Sequence, residues 1–133
     1  MRVFVDASAF IALVVETDSN HERAAEIAAR LELEKAELIS SNMVIAEVLT
    51  VLSMRFSKVL AVEFGQRIMN GGIRIIHPSA LSFEHAWRIW KDESHKDVGF
   101  VDAMSFALIE SEQISSAFSF DHDFLKRGFE VIS

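Results

Sequence analysis

Short apolar runs that alternate with stretches of helical period are the feature that most limits how this chain can fold. The run Arg2–Val5 does not alternate between apolar and polar residues, so it is typical of a strand buried on both faces. Similar runs recur along the chain, and segments with an apolar stripe at helical spacing separate them. This alternation predicts an α/β fold around a mostly parallel central sheet.

The pattern divides the chain into alternating elements without a gap that would mark a linker. Predicted strands cover residues 2–5, 38–39, 73–76, 117–120 and 129–132. Predicted helices cover residues 9–15, 21–35, 43–55, 58–70 and 100–110, with one more helix capped by Ser79 and a helical turn at 124–127. The chain has one proline and no internal repeat, so we expect a single domain over residues 1–133.

Composition excludes several kinds of site. The chain has no cysteine, which rules out disulfides, thiolate zinc sites and a cysteine nucleophile. Its net charge of −7 argues against a protein that coats nucleic acid with a basic face, but it does not exclude a nuclease. No run approaches the ~20 apolar residues of a membrane helix. No cleavage signal follows the apolar run at 9–15, so we expect a cytoplasmic protein.

Four acidic residues stand beside apolar sequence, where a carboxylate is disfavoured unless something compensates its charge. They end strands or lie near the starts of apolar helices, and they are Asp6, Glu47, Asp102 and Asp121. Because the carboxyl ends of parallel strands meet at one edge of a sheet, we expect these side chains to converge there. Clustered carboxylates are the ligands that Mg²⁺ and Mn²⁺ prefer, so the pattern predicts metal-dependent phosphate chemistry.

Each acid except one also has a simpler local explanation. Asp6 is able to cap the helix that follows it, and Asp102 lies where a helix dipole favours an acid. Asp121 and Asp123 are typical turn or cap residues before a short helix. Glu47 has no partner near it in sequence, and it is predicted to lie in a mostly buried helix. The alternative to a shared site is therefore four unrelated local roles.

Four segments together resemble one known family. The chain is similar over its whole length to the PIN-domain ribonucleases, especially the VapC-type toxins of prokaryotic toxin–antitoxin pairs. The resemblance rests on V-D-A-S at 5–8, S-N-M-V-I-A-E-V-L at 41–49, G-F-V-D-A-M-S-F-A-L at 99–108 and F-S-F-D-H-D-F at 118–124. It implies a three-layer α/β/α sandwich with a central, mostly parallel sheet of four to five strands. It also implies an endoribonuclease that depends on Mg²⁺ or Mn²⁺.

The resemblance assigns roles to individual residues. It implies that metal binding and catalysis belong to the acidic quartet Asp6, Glu47, Asp102 and Asp121. Ser8 matches a position where the family often has Ser or Thr near the metal, although a helix N-cap is the role its own sequence context favours. Ser119 stands where the family commonly has Thr, and the exchange keeps a hydroxyl group. Asp123 is an additional acid that could join the site.

The resemblance also implies partners. They are a single-stranded or looped RNA substrate, a second copy of the chain in a homodimer, and a small antitoxin protein that blocks the site. The mean hydropathy of +0.24 and the eleven Phe residues indicate that some apolar surface remains exposed for protein contacts. No membrane contact is expected.

Other functions remain as alternatives. One is a PIN-like module that binds protein or RNA without catalysis, and another is an RNA-processing nuclease outside any toxin–antitoxin pair. Haloacid-dehalogenase-like phosphatases require a second acid two residues after the first, where this chain has Ser8. Neither G-x-x-x-x-G-K nor G-x-G-x-x-G occurs, which excludes nucleotide sites of those kinds. The histidines lack metal-ligand spacing, so zinc is not expected.

Overall fold

Five short strands form one sheet in the computed structural model, which describes all 133 residues. The strands are β1 Arg2–Val5, β2 Glu37–Ser41, β3 Arg74–Ile76, β4 Ser116–Phe118 and β5 Glu130–Ile132. Their order across the sheet is β3-β2-β1-β4-β5, and every neighbouring pair is parallel. The predicted parallel sheet is therefore confirmed, at the upper end of its expected strand number.

Seven helices connect and cover the strands. They are α1 Ala7–Val14, α2 His21–Leu33, α3 Asn42–Arg55, α4 Lys58–Met69, α5 Ala80–Asp92, α6 Phe100–Ser111 and α7 His122–Lys126. Parallel crossovers are right-handed, and the chain reverses its direction across the sheet after β3. Helices α1–α4 therefore lie on one face and α5–α7 on the other, which gives three layers. None of these helices is both long and apolar enough to cross a membrane.

Helix α6 lies at the centre of the second helical layer. Residues 103–109 are all buried, because α6 packs against α5, contacts α3 and meets α7 through Phe106. The ring of Phe106 meets the ring of Phe124 edge-on, with 5.0 Å between centroids. The apolar sequence on all sides of α6 thus matches the burial of residues 103–109.

Several predicted boundaries differ from the structure, and two of these differences concern site residues. Helix α1 begins at Ala7 rather than at residue 9, because Asp6 itself caps it: the Ala9 N–H donates to the Asp6 carbonyl oxygen at 3.1 Å. Strand β4 ends at Phe118 rather than at residue 120. Asp121 therefore does not directly follow the strand but caps α7 instead.

Helix α3 is less buried than its apolar sequence suggests. Only one stripe of this helix is buried, and it consists of Val44, Ile45, Val48 and Leu52. Glu47 points away from that stripe and is exposed to solvent, so the prediction of a mostly buried helix around it is wrong. The exposed side of α3 places Glu47 where a ligand at the surface is able to reach it.

The sheet has a switch in strand order at β1. The chain leaves β1 toward β2 on one side, whereas β4 on the other side arrives from the far end of the sheet. At the carboxyl edge the two strands stay joined, since the Asp6 N–H donates to the Phe118 carbonyl oxygen at 3.0 Å. Open α/β sheets bind ligands in the crevice at such a point.

Candidate metal centre

Asp6 is a buried carboxylate at the end of the central strand. Its residue is only 3% exposed, and no lysine or arginine pairs with it. Loss of hydration raises the pKa of Asp6, and hydrogen bonds from Ser8 and Ser119 partly oppose that rise. A buried acid held in this way favours a cation at its open side when it is ionised.

Two serine hydroxyls fix the Asp6 side chain. Ser8 Oγ donates to Asp6 Oδ2 at 2.8 Å, and Ser119 Oγ donates to the same oxygen at 2.9 Å. Each hydroxyl also accepts a backbone N–H, from Phe120 at 2.9 Å and from Asp121 at 3.0 Å respectively. These bonds join the end of β1 to the segment that carries Asp121. The bonds that the Asp6 side chain accepts all end on Oδ2, so Oδ1 stays outside this network.

Three other acids lie close together beside this network. Asp102, Asp121 and Asp123 each offer a carboxylate oxygen, and these oxygens lie within 4.8 Å of one another. Asp121 caps α7 by accepting the Asp123 N–H at 3.0 Å, and this bond brings the two residues onto one turn. Burial first, and then the charge of Asp121, raise the pKa of Asp123. Three oxygens at this separation suit a single divalent cation.

Asp102 is the acid whose ionisation the fold changes most clearly. It lies in the first turn of α6 and accepts the Gly99 N–H at 3.4 Å. Burial, and then the negative charges of Asp6, Asp121 and Glu47, raise its pKa from 3.8 to about 7. The local helix-start role is therefore real, but a helix start favours the ionised form. The raised pKa shows that burial, together with repulsion from the neighbouring acids, outweighs this effect of the helix start.

Glu47 approaches the same group of charges from the other helical layer. Loss of hydration, and then the charges of Asp6 and Asp121, raise its pKa even though the residue as a whole is exposed. It does not belong to the close group formed by Asp102, Asp121 and Asp123. Glu47 is therefore placed to contact a ligand or a water at the open side of the site rather than to join the innermost carboxylate oxygens.

The chemistry of these side chains fits a hard divalent ion. The five acids carry no salt bridge to any lysine or arginine, so most of their negative charge is uncompensated within the protein. All their donor atoms are carboxylate oxygens, which favour Mg²⁺ or Mn²⁺ over zinc. Burial is the largest cause of the raised pKa of Asp6, Glu47, Asp102 and Asp123, and a bound cation would oppose it by favouring the ionised carboxylates.

Two of the acids have both a local capping role and a place in the acidic group. Asp6 and Asp121 are caps, as their local context predicts, and they also take part in the acidic group. Ser8 is not an N-cap, because it lies inside α1 and donates to Asp6. Asp123 is closer to the centre of the group than its sequence position suggests. The sequence signal for its role is the D-x-D spacing of Asp121 and Asp123 at the start of the five-residue helix α7.

We expect the metal-free protein to lose stability as the pH rises through the range in which Asp102 ionises. Its pKa is 3.8 in a model peptide and about 7 in the fold. Below about pH 4 the group is protonated in both states. Between these values the unfolded chain releases the proton first, so the folded state is progressively disfavoured, and above about pH 7 the loss is complete.

The difference between wild type and Asp102→Asn isolates this contribution. Thermal unfolding of both proteins in EDTA should give a stability advantage for Asp102→Asn that is near zero at about pH 4 and largest above about pH 7. A difference that does not vary with pH would contradict the raised pKa. Asp97→Asn, at an exposed position in the loop before α6, serves as the control and should follow wild type.

The chain has clear sequence relatives. The model of the PIN domain family matches residues 3–130. Two strains of Mycobacterium tuberculosis, CDC 1551 / Oshkosh and ATCC 25618 / H37Rv, carry a protein named 23S rRNA-specific endonuclease VapC20. In each case it is 33% identical to this chain over 128 residues, which covers 96% of this chain and 95% of the relative.

Solved structures agree with these sequence matches. The crystal structure of Mycobacterium tuberculosis VapC20, described as a toxin that cleaves the sarcin-ricin loop, superposes with a TM-score of 0.85 at 32% identity. It covers 96% of this chain and 95% of its own. The structure of VapBC2 from Rickettsia felis bound to a promoter DNA fragment gives a TM-score of 0.71 over 99% of this chain and 98% of its own. At 14% identity this second match supports the fold alone.

Proposed function

This chain belongs to the PIN domain family, and from that premise we propose that it is a metal-dependent endoribonuclease. The observation that carries the proposal is the gathering of uncompensated carboxylates at the switch point of the sheet. The 33% identical relative is named as an RNA endonuclease and spans nearly the same length, which supports the same activity here. RNA is the substrate, and 23S rRNA is the first RNA to test.

We assign the residues of the site as follows. Asp102, Asp121 and Asp123 would hold the ion through oxygens that already lie close together, and Asp6 would contribute from the floor of the crevice. When bound, Mg²⁺ or Mn²⁺ would neutralise charge on the phosphate and lower the pKa of a bound water. Glu47, at the solvent side, would bind the ion or orient the attacking water.

The serine hydroxyls have a positioning role in this proposal. Ser8 and Ser119 keep Asp6 Oδ2 occupied, so that Asp6 is unable to turn away from the site. The same hydroxyls hold the backbone at Phe120 and Asp121, and thus the start of α7. Sites held by packed neighbours of this kind avoid reorganisation during the reaction.

We also propose that the protein acts in the cytoplasm as the toxin of a toxin–antitoxin pair. A relative at 32% identity is described as a toxin, which supports this assignment. The small antitoxin would cover the acidic site. A homodimer remains a prediction, and the exposed aromatic side chains of α5, Phe83 and Trp87, offer apolar surface for one.

Cleavage of RNA by the purified protein tests the proposed activity. We expect an oligoribonucleotide stem-loop and total rRNA to be cut in the presence of Mg²⁺ or Mn²⁺, with 5′-phosphate ends, and to remain intact in EDTA. Activity should return when either ion is added back in excess of the chelator. Cutting that persists in EDTA and in Asp102→Asn would overturn the proposal. Metal binding without any cutting would favour a non-catalytic binding module.

A further inference from the structure

A groove of about 610 Å³ opens beside the acidic group on the side of α7. Asp123, Lys126 and Arg127 line it from α7, and Asp123 also belongs to the acidic group. Glu93 and Glu110 lie along its walls. We call this cavity the α7 groove. Its lining is mostly polar, so it is unlike the apolar pockets that hold small hydrophobic ligands.

The floor of the α7 groove follows one face of α6. Asp102, Phe106 and Glu110 are spaced by four residues, so they lie one above the other on that helix. Asp102 belongs to the acidic group, and the other two residues line the groove. The groove therefore starts at the proposed cleavage site and leads away from it. A groove of this kind provides a path for the part of a substrate next to the cleaved bond.

Arg127 is held in a fixed position in this groove. Its Nη2 lies 3.4 Å from Glu110 Oε1, and its guanidinium carbon lies 5.7 Å from the centre of the Phe106 ring. The other carboxylate oxygen of Glu110, Oε2, lies 3.2 Å from His85 Nε2, so both oxygens of Glu110 have a partner within the protein. A guanidinium that is anchored on one side keeps further N–H donors for a ligand on the other.

Lys126 is the free cation of the groove. Its side chain is exposed and forms no salt bridge, but it is close enough for its charge to act on Asp123. Helix α7 thus places acids at its beginning and cations at its end. The helical rise puts Arg127 about 6 Å along the axis from Asp123.

We propose that the α7 groove binds the RNA strand next to the scissile bond, with Lys126 and Arg127 contacting a neighbouring phosphate. This inference rests on the proposed nuclease function. A strand carries one negative charge per nucleotide, so one phosphate at the metal centre brings another near the end of α7. Cations at that distance hold the backbone by charge and donate hydrogen bonds without reading the base.

Glu93 gives the proposal a second and opposite test. It lies in the wall of the groove, close enough for its charge to act on Asp123, and no cation pairs with it. A phosphate in the groove would be repelled by this carboxylate. Removing the charge of Glu93 should therefore strengthen RNA binding, a gain that damage to the fold would not produce.

Binding is measured with a fluorescent single-stranded oligoribonucleotide on the Asp102→Asn background, so that no cleavage interferes. We expect Lys126→Ala to weaken binding about fivefold and to reduce the slope of log affinity against log salt by about one. Glu93→Gln should tighten binding about twofold. Arg30→Ala is the matched control, because Arg30 is an exposed cation in the last turn of α2, on the face of the sheet opposite α7. It should leave the affinity unchanged.

Two results of the affinity measurement would overturn the inference. One is an equal loss of affinity in Lys126→Ala and Arg30→Ala, which would indicate attraction by overall charge. The other is unchanged or weaker binding in Glu93→Gln. Cleavage by the otherwise wild-type variants separates this test from the proposed function. Active enzymes with no change in KM would reject the groove alone, whereas inactive protein with the expected changes in affinity would reject the nuclease alone.

Discussion

Asp102→Asn is expected to reduce RNA cleavage on the order of 10²- to 10³-fold while leaving the fold intact. The substitution keeps the shape of the side chain. The only local contact at risk is the hydrogen bond that the Asp102 carboxylate accepts from the Gly99 N–H. The substitution replaces one carboxylate oxygen with an amide nitrogen in a residue of the close acidic group, and it removes a charge that the other acids repel. Activity should therefore fall because the ion is held poorly, whereas the metal-free protein should become more stable at neutral pH.

The combination of lost activity and gained stability is the decisive feature of this prediction. If Asp102 served only to start α6, its replacement would make the protein less stable. Circular dichroism and thermal unfolding in EDTA measure the fold, and a cleavage time course with Mn²⁺ measures the activity. Asp97→Asn removes one charge a few residues away and should alter neither. Full cleavage by Asp102→Asn would exclude this carboxylate from the metal centre.

The arrangement of the sheet could be predicted from sequence because it depends on features that are local. Val3 and Phe4 are fully buried in a strand with no polar alternation, and such runs are typical of a parallel sheet covered on both faces. The acids Asp6 and Asp121 then follow from the rule that ligands bind at the carboxyl edge near a switch point. The switch itself, with β4 beside β1, depends on pairing between residues more than 100 positions apart.

The parts of the site that sequence reasoning missed depend on such distant contacts. Ser8 looks like a helix cap from its neighbours, but its hydroxyl bonds Asp6 and the Phe120 N–H instead. The acidic character of Asp123 was visible, yet its closeness to Asp102 arises only when α7 packs against α6. The exposure of Glu47 likewise follows from which side of α3 faces the core, and an apolar helix sequence does not decide this.

Asp6→Asn is expected to abolish stabilisation by Mn²⁺ and to reduce cleavage by a similar order, 10²-fold or more. Asp6 is buried without a cation, and burial raises its pKa, so the ionised form is maintained at a cost that a metal would offset. An amide in its place accepts hydrogen bonds from Ser8 and Ser119 through its oxygen, which preserves the connection between β1 and the start of α7. The metal-free variant should therefore unfold at or above the wild-type temperature.

Titration with Mn²⁺ in a calorimeter, and thermal unfolding with and without the ion, measure both halves of this expectation. A ligand at about 100 times its dissociation constant stabilises a protein by about 2.7 kcal/mol, so wild type should show a clear rise in unfolding temperature and Asp6→Asn should show none. Ser119→Thr is the matched control, because it alters the same network but keeps the hydroxyl that donates to Asp6 Oδ2. If Asp6→Asn bound Mn²⁺ like wild type, the ion would be held by Asp102, Asp121 and Asp123 alone. The buried acid of β1 would then serve the fold rather than the metal.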